Sequence, residues 1–501
     1  MAGLVGLLQL YFAVSKKTDP CTLGVHLLSH SEWKGIQPVV RRFDWARARF
    51  IATSWAWLGM VTAGCVKAPP TPELAPSLVV LDQWNAETPS SGDPVLTGWI
   101  ATFQDPQLDK LVEEVLENNQ DLRSVAAQLD ASRHLARRAG AELYPLVALD
   151  GSGSSFGGYE GGDVSNRSGI SLDVIWELDV WGRIRSGKAA ATADYQAAMA
   201  DYNFARLSLA GQTAKAWFQA IESNLQEQLS ENTVALFERN EQIVEARFDA
   251  GLVSRLDIII ARAQLATERE KLEQAKSATE QAVRSLEILL GRYPAAEMEL
   301  AKDLDATLPP VAAGIPSEIL ERRPDLVAAE RAVASAFYTI SEAKAARLPS
   351  ISLTGSTGSA SSALIEILSL PNPFWSLAAS LFAPLFTGGA LQANVDIATS
   401  QHQAVLAQFS RTALQAFAEI ETALANEEFL KRAVSYQESV VAEASEAARL
   451  AAIQYDVGLI DFLSVIQLQE ALVDAQRLSL TLREGRLANR VNLHLSLGGD
   501  F

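Results

Sequence analysis

This 501-residue sequence predicts a mixed α and β membrane protein, in which each chain contributes four short β-strands to a barrel and extends long α-helices away from the bilayer. Three observations predict it. The chain is written twice, two long tracts lack proline, and four segments alternate apolar with polar residues.

The duplication is read directly from the residues. Leu116-Glu117-Asn118-Asn119-Gln120-Asp121-Leu122 aligns with Leu320-Glu321-Arg322-Arg323-Pro324-Asp325-Leu326, and Leu143-Tyr144-Pro145 aligns with Arg347-Leu348-Pro349 at the same offset. Phe248-Asp249-Ala250-Gly251-Leu252 matches Tyr455-Asp456-Val457-Gly458-Leu459, and Leu290-Gly291 matches Leu497-Gly498, both three positions further apart. Such slow drift in the offset marks a tandem repeat with small insertions. The predicted organisation is 1–64 leader and signal peptide, 65–104 an extended segment, 105–293 the first repeat, 294–316 a linker, and 317–501 the second repeat.

Arg41, Arg42, Arg47 and Arg49 precede the apolar run Phe50–Gly64, which has the length of a signal-peptide core. Val61-Thr62-Ala63-Gly64-Cys65 then resembles a bacterial lipobox, so Cys65 is expected to be the acylated mature N-terminus, although Thr62 stands where an apolar residue is usual. Val66 lacks the Asp that commonly holds lipoproteins at the inner membrane, which fits an outer-membrane destination. Residues 1–40 fit no part of a signal peptide. A misassigned start is expected, with an unusual leader as the rival reading.

Each repeat reads as helix, strand, strand, long helix, long helix. The first helix is expected over Pro106–Glu142, with Asp105 as N-cap and Pro106 at the first position. Its counterpart runs from Ser317 to Arg347, where Arg322 and Asp325 are expected to be structural. No proline falls between Pro145 and Pro294 or after Pro384; proline breaks helix interiors, so these tracts predict very long helices. Ser186–Asp249 and Gly389–Tyr455 are the first long helices, ending at Gly251 and Gly458, and the return helices run to Gly291 and Gly498. Leu207, Ala210, Ala214, Trp217, Ile221, Leu225 and Leu229 recur at three- and four-residue steps and mark one packed face. Gln212, Gln219, Glu222 and Gln226 suit either a water-filled lumen or a solvated outer face.

In the strands, Ile170, Leu172, Val174, Trp176, Leu178 and Val180 alternate with Ser171, Asp173, Glu177 and Asp179. Trp375, Leu377, Ala379, Leu381 and Ala383 alternate with Phe374, Ser376, Ala378, Ser380 and Phe382. Val147 and Leu149, and then Ile351 and Leu353, alternate with serines, threonine and Asp150. One apolar and one polar face is the pattern of a strand with lipid on one side and water on the other, and a half-buried soluble sheet gives it too. Four strands cannot close a barrel, and unpaired backbone is not tolerated in hydrocarbon, so oligomerisation follows if the strands lie in the membrane. Three copies would supply twelve strands. Gly151–Ser165 and Gly355–Ser362 are expected as loops at the external end.

Composition excludes other classes. A net charge of −18 lacks the basic footprint of a nucleic-acid binder. Two cysteines and five scattered histidines give neither a disulfide framework nor metal spacing. There is no phosphate loop or nucleophile elbow, so no enzyme and no cofactor is expected.

The Arg-Arg-Pro-Asp-Leu element at 322–326, Ala345-Ala346-Arg347-Leu348-Pro349, the turns Trp181-Gly182-Arg183-Ile184-Arg185 and Phe386-Thr387-Gly388-Gly389, and the motifs around Gly251 and Gly458 resemble outer-membrane efflux proteins of the TolC type, in their lipoprotein branch. The resemblance covers about residues 66–498. It implies a homotrimer whose twelve-stranded barrel in outer-membrane lipid is continuous with a periplasmic α-helical barrel, and whose tip meets a periplasmic adaptor and an inner-membrane pump. It implies passive conduction of drugs, metals or other small toxic solutes. A duct for type I protein secretion and a non-conducting coiled-coil scaffold are the alternatives. By the same resemblance the hairpin turns 250–257 and 457–464 form the periplasmic tip, with Gly251, Leu252, Gly458 and Leu459 at adaptor contacts and Leu463 at an apolar constriction. Gln467 occupies the place of an acidic ring; Asp461 or Asp257 would supply charge instead, or simply solvate a turn. Arg255 either pairs across the tip or stays exposed. Ile170, Leu172, Val174, Trp176, Trp375, Leu377 and Leu381 are the expected lipid-facing row.

Overall fold

The computed structural model describes residues 84–86, 98–157, 165–304, 308–310, 316–362 and 372–499, all within one compact unit, Gly64–Phe501. The leader and Cys65 lie outside the described residues.

Asp105 caps α1 (Pro106–Asn118): its Oδ1 accepts from the Gln107 and Leu108 amides, and its Oδ2 accepts from Trp217 Nε1 at 2.7 Å. The single helix expected from Pro106 to Glu142 is two. Asn119 turns extended, φ −64° and ψ 129°, before α2 (Gln120–Ala141). The second repeat breaks at the equivalent place: a 3₁₀ turn (Pro316–Glu318) and a short α5 (Ile319–Arg322) end at Arg323, φ −69° and ψ 121°, before α6 (Pro324–Ala345). The breaks have a shared use. Asn119 Nδ2 donates to the Leu289 carbonyl at 2.9 Å, and Arg323 Nη1 donates to the Ser496 carbonyl at 3.1 Å, so each satisfies an orphan carbonyl at the end of its own repeat's return helix.

Those return helices, α4 (Arg255–Leu289) and α8 (Phe462–Ser496), are 35 residues each. The long helices α3 (Arg183–Asp249) and α7 (Ala390–Asp456) are 67 residues each, about 100 Å at 1.5 Å per residue. Gly251 and Gly458, at φ 72° and 76°, end the long helices in the left-handed conformation that glycine adopts without strain. The amide of the following leucine bonds back across the last turn in both cases, Leu252 to Arg247 and Leu459 to Gln454, each at 2.8 Å.

Strands β1 (Leu146–Phe156), β2 (Ser165–Leu178), β3 (Ser350–Ser361) and β4 (Pro373–Phe382) form one antiparallel sheet in sequence order. Two expectations are corrected here. Gly151–Phe156 and Gly355–Ser361 are strand, because the backbone groups of their glycines and serines complete the antiparallel ladder. Gly358 even requires its missing side chain, since a Cβ there would lie 2.2 Å from the Ile170 carbonyl oxygen. The β2 row also stops at Leu178, so Val180 and Asp179 leave the strand.

Three clusters hold the helices together. Trp99, Phe103, Leu108, Trp217, Ile221 and Leu286 anchor the middle of the first repeat. Trp84, Ile319, Leu326, Ile420 and Leu497 anchor the second. The amides of Asn85 and Ala86 bond the two oxygens of Glu421 at 2.7 and 2.9 Å, which straps the N-terminal segment onto α7. A third cluster, Phe237, Val244, Leu265, Tyr455, Phe462 and Ile466, joins both hairpins near their tips. Among the described residues no helix is long and apolar enough to cross a membrane.

Candidate functional site

Register decides what the alternating strands do. Residues directly opposite each other in an antiparallel pair share a face. Leu149 faces Leu172, Leu172 faces Thr357, and Thr357 faces Trp375; Val147, Val174, Gly355 and Leu377 form the neighbouring line, with Leu353, Leu381 and Trp176 on the same side. The apolar rows therefore merge into one continuous face. It stands in the open: Trp375 and Leu377 are 80% and 77% exposed. A patch of this kind on an isolated chain marks a surface that meets lipid or another protein.

The other face carries Asp150, Ser171, Asp173, Ser352, Ser356, Ser376 and Ser380. Ser171 Oγ donates to Asp173 at 2.8 Å, and Ser352 and Ser380 Oγ atoms lie 2.7 Å apart. Leu146, Phe156, Ile175, Phe374 and Phe382 interrupt this polar side. Among the described residues, β1 and β4 have no partner on their outer edges.

Glu177 and Asp179, expected on the water-facing row, are used where strand becomes helix. Arg183 binds Glu177 at 2.9 Å, while Asp179 accepts from the Ile184 and Arg185 amides at 3.0 and 2.9 Å and pairs with the Arg185 side chain. Asp179 thus caps α3, whose N-cap, Gly182, has no side chain to do so. Glu222 and Gln226 are corrected likewise. Glu222 is buried and accepts from Gln226 at 2.9 Å and Thr481 at 3.2 Å, tying α3 to α8; Gln212 and Gln219 are exposed. Arg323, rather than Arg322, is the buried arginine of its motif: it holds Asp325 and Glu419, both at 2.8 Å.

At the far end, the two hairpin turns expose Leu252 and Leu459 beside Gly251 and Gly458. Asp257 accepts from the Ser254 amide and hydroxyl at 2.8 and 2.7 Å, and Asp461 accepts from the Ser464 amide at 2.8 Å, so both acids cap return helices. The Ser464 hydroxyl and amide hold the Asp461 carboxyl below its usual range. Leu463 and Gln467 are both exposed, one turn apart on α8, opposite the buried Phe462, Val465, Ile466 and Gln469. Arg255 is exposed and has no ion pair among the described residues.

Sequence reasoning missed Arg247. It lies 4.2 Å from the Tyr455 ring centroid and donates to Asp456 Oδ1 at 2.8 Å and to the Tyr455 carbonyl at 3.2 Å, clasping the end of α3 to the end of α7. The only signal was its place in the turn before Gly251. Among the described residues no cluster of His, Cys, Asp and Glu could hold a metal ion.

Comparison with known proteins agrees with this architecture. The profile of the outer membrane efflux protein family matches twice, over residues 111–292 and 315–499. The chain is 32% identical over 463 residues to the probable efflux pump outer membrane protein TtgC of Pseudomonas putida, covering 89% of this chain and 95% of TtgC. It is 30% identical over 408 residues to the cation efflux system protein CusC of Escherichia coli, covering 81% and 88%. The fold matches the open state of the Neisseria gonorrhoeae MtrE outer membrane channel with a TM-score of 0.79 and 30% identity, covering 87% of this chain and 98% of that one. With its apolar sheet face, long duplicated helices and double family match, the chain belongs to the outer membrane efflux protein family and is the outer-membrane channel component of an efflux system.

Proposed function

We propose that three copies of the chain close a twelve-stranded barrel through the outer membrane, with their helices forming a periplasmic tunnel that passively conducts small toxic solutes. The observation that carries this reading is the union of four apolar rows on one exposed face of a sheet with two unpaired edges. In hydrocarbon each unpaired backbone group costs several kcal/mol, so such a sheet is stable only when its edges meet others. The strands have 11, 14, 12 and 10 residues, each enough for the about 9–11 residues that a tilted membrane strand requires. CusC is named for cations and TtgC for an efflux pump, so small solutes rather than proteins are the cargo we assign.

In this reading Cys65 carries an acyl anchor, and the exposed leucines at Gly251-Leu252 and Gly458-Leu459 meet an adaptor bound to an inner-membrane pump. Leu463 narrows the tip. Gln467, one turn on, removes charge from that position, and Asp257 and Asp461 serve the turns in which they sit, so the closed tip excludes ions chiefly by an apolar constriction. The full-length protein reconstituted in planar bilayers should give unitary conductances from an oligomer of three chains. A water-soluble monomer that never conducts would end the proposal.

A further inference from the structure

Where sheet meets helix, the charge of the molecule reverses. Residues 137–144, 177–188 and 342–349 contain seven cations (Arg137, Arg138, Arg183, Arg185, Lys188, Lys344, Arg347) and four anions (Glu142, Glu177, Asp179, Glu342), a balance of +3 in a chain of −18. The fourth junction, 383–392, carries no charge. Arg183 and Arg185 are held by Glu177 and Asp179. Arg137, Arg138, Lys188, Lys344 and Arg347 are exposed and have no ion pair among the described residues.

Helix dipoles do not account for this band. Cations are favoured at helix C-termini, which suits Arg138 and Lys344, and disfavoured at N-termini. Yet α3 opens with Arg183, Arg185 and Lys188 and has no acid in its first turn. A Cβ on Gly140 would lie 3.3 Å from Lys188 Cε, so the lysine stem crosses α2 on the flank that Arg137, three residues earlier, shares. Lys188 and Arg137 thus lie along one flank of α2, neither in an ion pair among the described residues, an arrangement open to an external anion.

The surroundings say which anion. At the same level Trp181 and Tyr144 are 50% and 74% exposed, and Trp176 donates its indole N–H to the Leu143 carbonyl. Amphipathic aromatic rings at the end of an apolar strand band are the signature of a membrane–water interface. Cations set there lie at the depth of phospholipid phosphates.

We propose that Arg137, Arg138, Lys188, Lys344 and Arg347 form a collar that binds the headgroups of anionic phospholipids in the periplasmic leaflet of the outer membrane. This rests on the reading that the sheet crosses that membrane, and the test separates the two. The full-length protein is reconstituted in phosphatidylcholine vesicles with a trace of spin-labelled phosphatidylglycerol or spin-labelled phosphatidylcholine, and the motionally restricted fraction of each label is measured. At low salt the parent should hold phosphatidylglycerol about fivefold more tightly than phosphatidylcholine, and the preference should shrink as salt rises. R137Q/R138Q/K188Q/K344Q/R347Q should bring the two lipids level, with the partial variants R137Q/R138Q and K344Q/R347Q between. Equal retention of both lipids by the parent, an unchanged preference in the variants, or displacement by excess inorganic phosphate at constant ionic strength would each overturn the collar. If neither lipid shows a restricted fraction, the membrane-spanning sheet itself falls.

Discussion

Arg323 offers the sharpest test of how each repeat is closed. Its side chain is 5% exposed, and substitution by alanine removes the fork to Asp325, the contact to Glu419 and the bond to the Ser496 carbonyl together. Removing one partner of a buried ion pair typically costs about 3–5 kcal/mol. Glu419 is 57% exposed and can rehydrate, and Asp325 keeps the Leu326 amide at 2.9 Å, so the lower limit, about 3 kcal/mol, applies. Asn119 has the equivalent position in the first repeat but is neutral; Asn119→Ala loses a bond to the Leu289 carbonyl and a cap on Leu122, about 1–2 kcal/mol. Hydrogen exchange of the purified protein should show protection at the end of α8 falling by about two orders of magnitude in Arg323→Ala, with a smaller loss at the end of α4 in Asn119→Ala. Arg323→Lys should lie between parent and alanine. Equal effects of the two alanine variants, or fraying at α4 rather than α8 in Arg323→Ala, would refute the account.

His494 is buried against Trp99 with ring centroids 5.6 Å apart, and burial, with the Arg490 charge beside it, lowers its pKa to about 4. The unfolded ring binds a proton near pH 6.5, so stability from this group is full above that pH and is lost as pH falls towards 4, by about 3 kcal/mol in all; His494→Gln should flatten that part of a urea-midpoint profile, and an unchanged slope would clear His494. Gly358→Ala places a Cβ 2.2 Å from the Ile170 carbonyl, whereas at Gly355 the nearest atom is a Leu377 methyl at 3.8 Å; the first should abolish recovery of oligomer from outer membranes and the second should not. Leu463→Ser should raise leak conductance in bilayers, and the same leak as the parent would remove Leu463 from the constriction. Labelling with radioactive palmitate should disappear in Cys65→Ala, and an unlabelled parent would rule the anchor out.

Much of the helical half was legible because glycine and proline punctuate it. Gly251, Gly458 and the proline-free tracts locate the ends of 67-residue helices to within a few residues. The strand rows were equally plain, since a period of two survives without knowing the partners. What escaped depended on contacts between distant segments. Periodicity shows that Glu222 and Gln226 share a side of α3, but only α8 packing on that side makes it an interior. The break at Asn119 has no proline to announce it, and in the second repeat Pro324 was read inside a helix begun at Ser317. Asp179 continued the alternation of β2 by one residue too many, because a capping carboxylate and a strand carboxylate look alike in sequence. Arg247 finds its partners more than two hundred positions away.

The unpaired rims of the sheet also govern what happens to a newly made copy. In the proposed trimer, a copy that has not yet met its neighbours presents along β1 and β4 rows of amide and carbonyl groups without partners among the described residues, a template on which an extended chain can register. Substitutions that slow association should therefore be seen first as proteolysis and low abundance, well before any defect in transport is measurable.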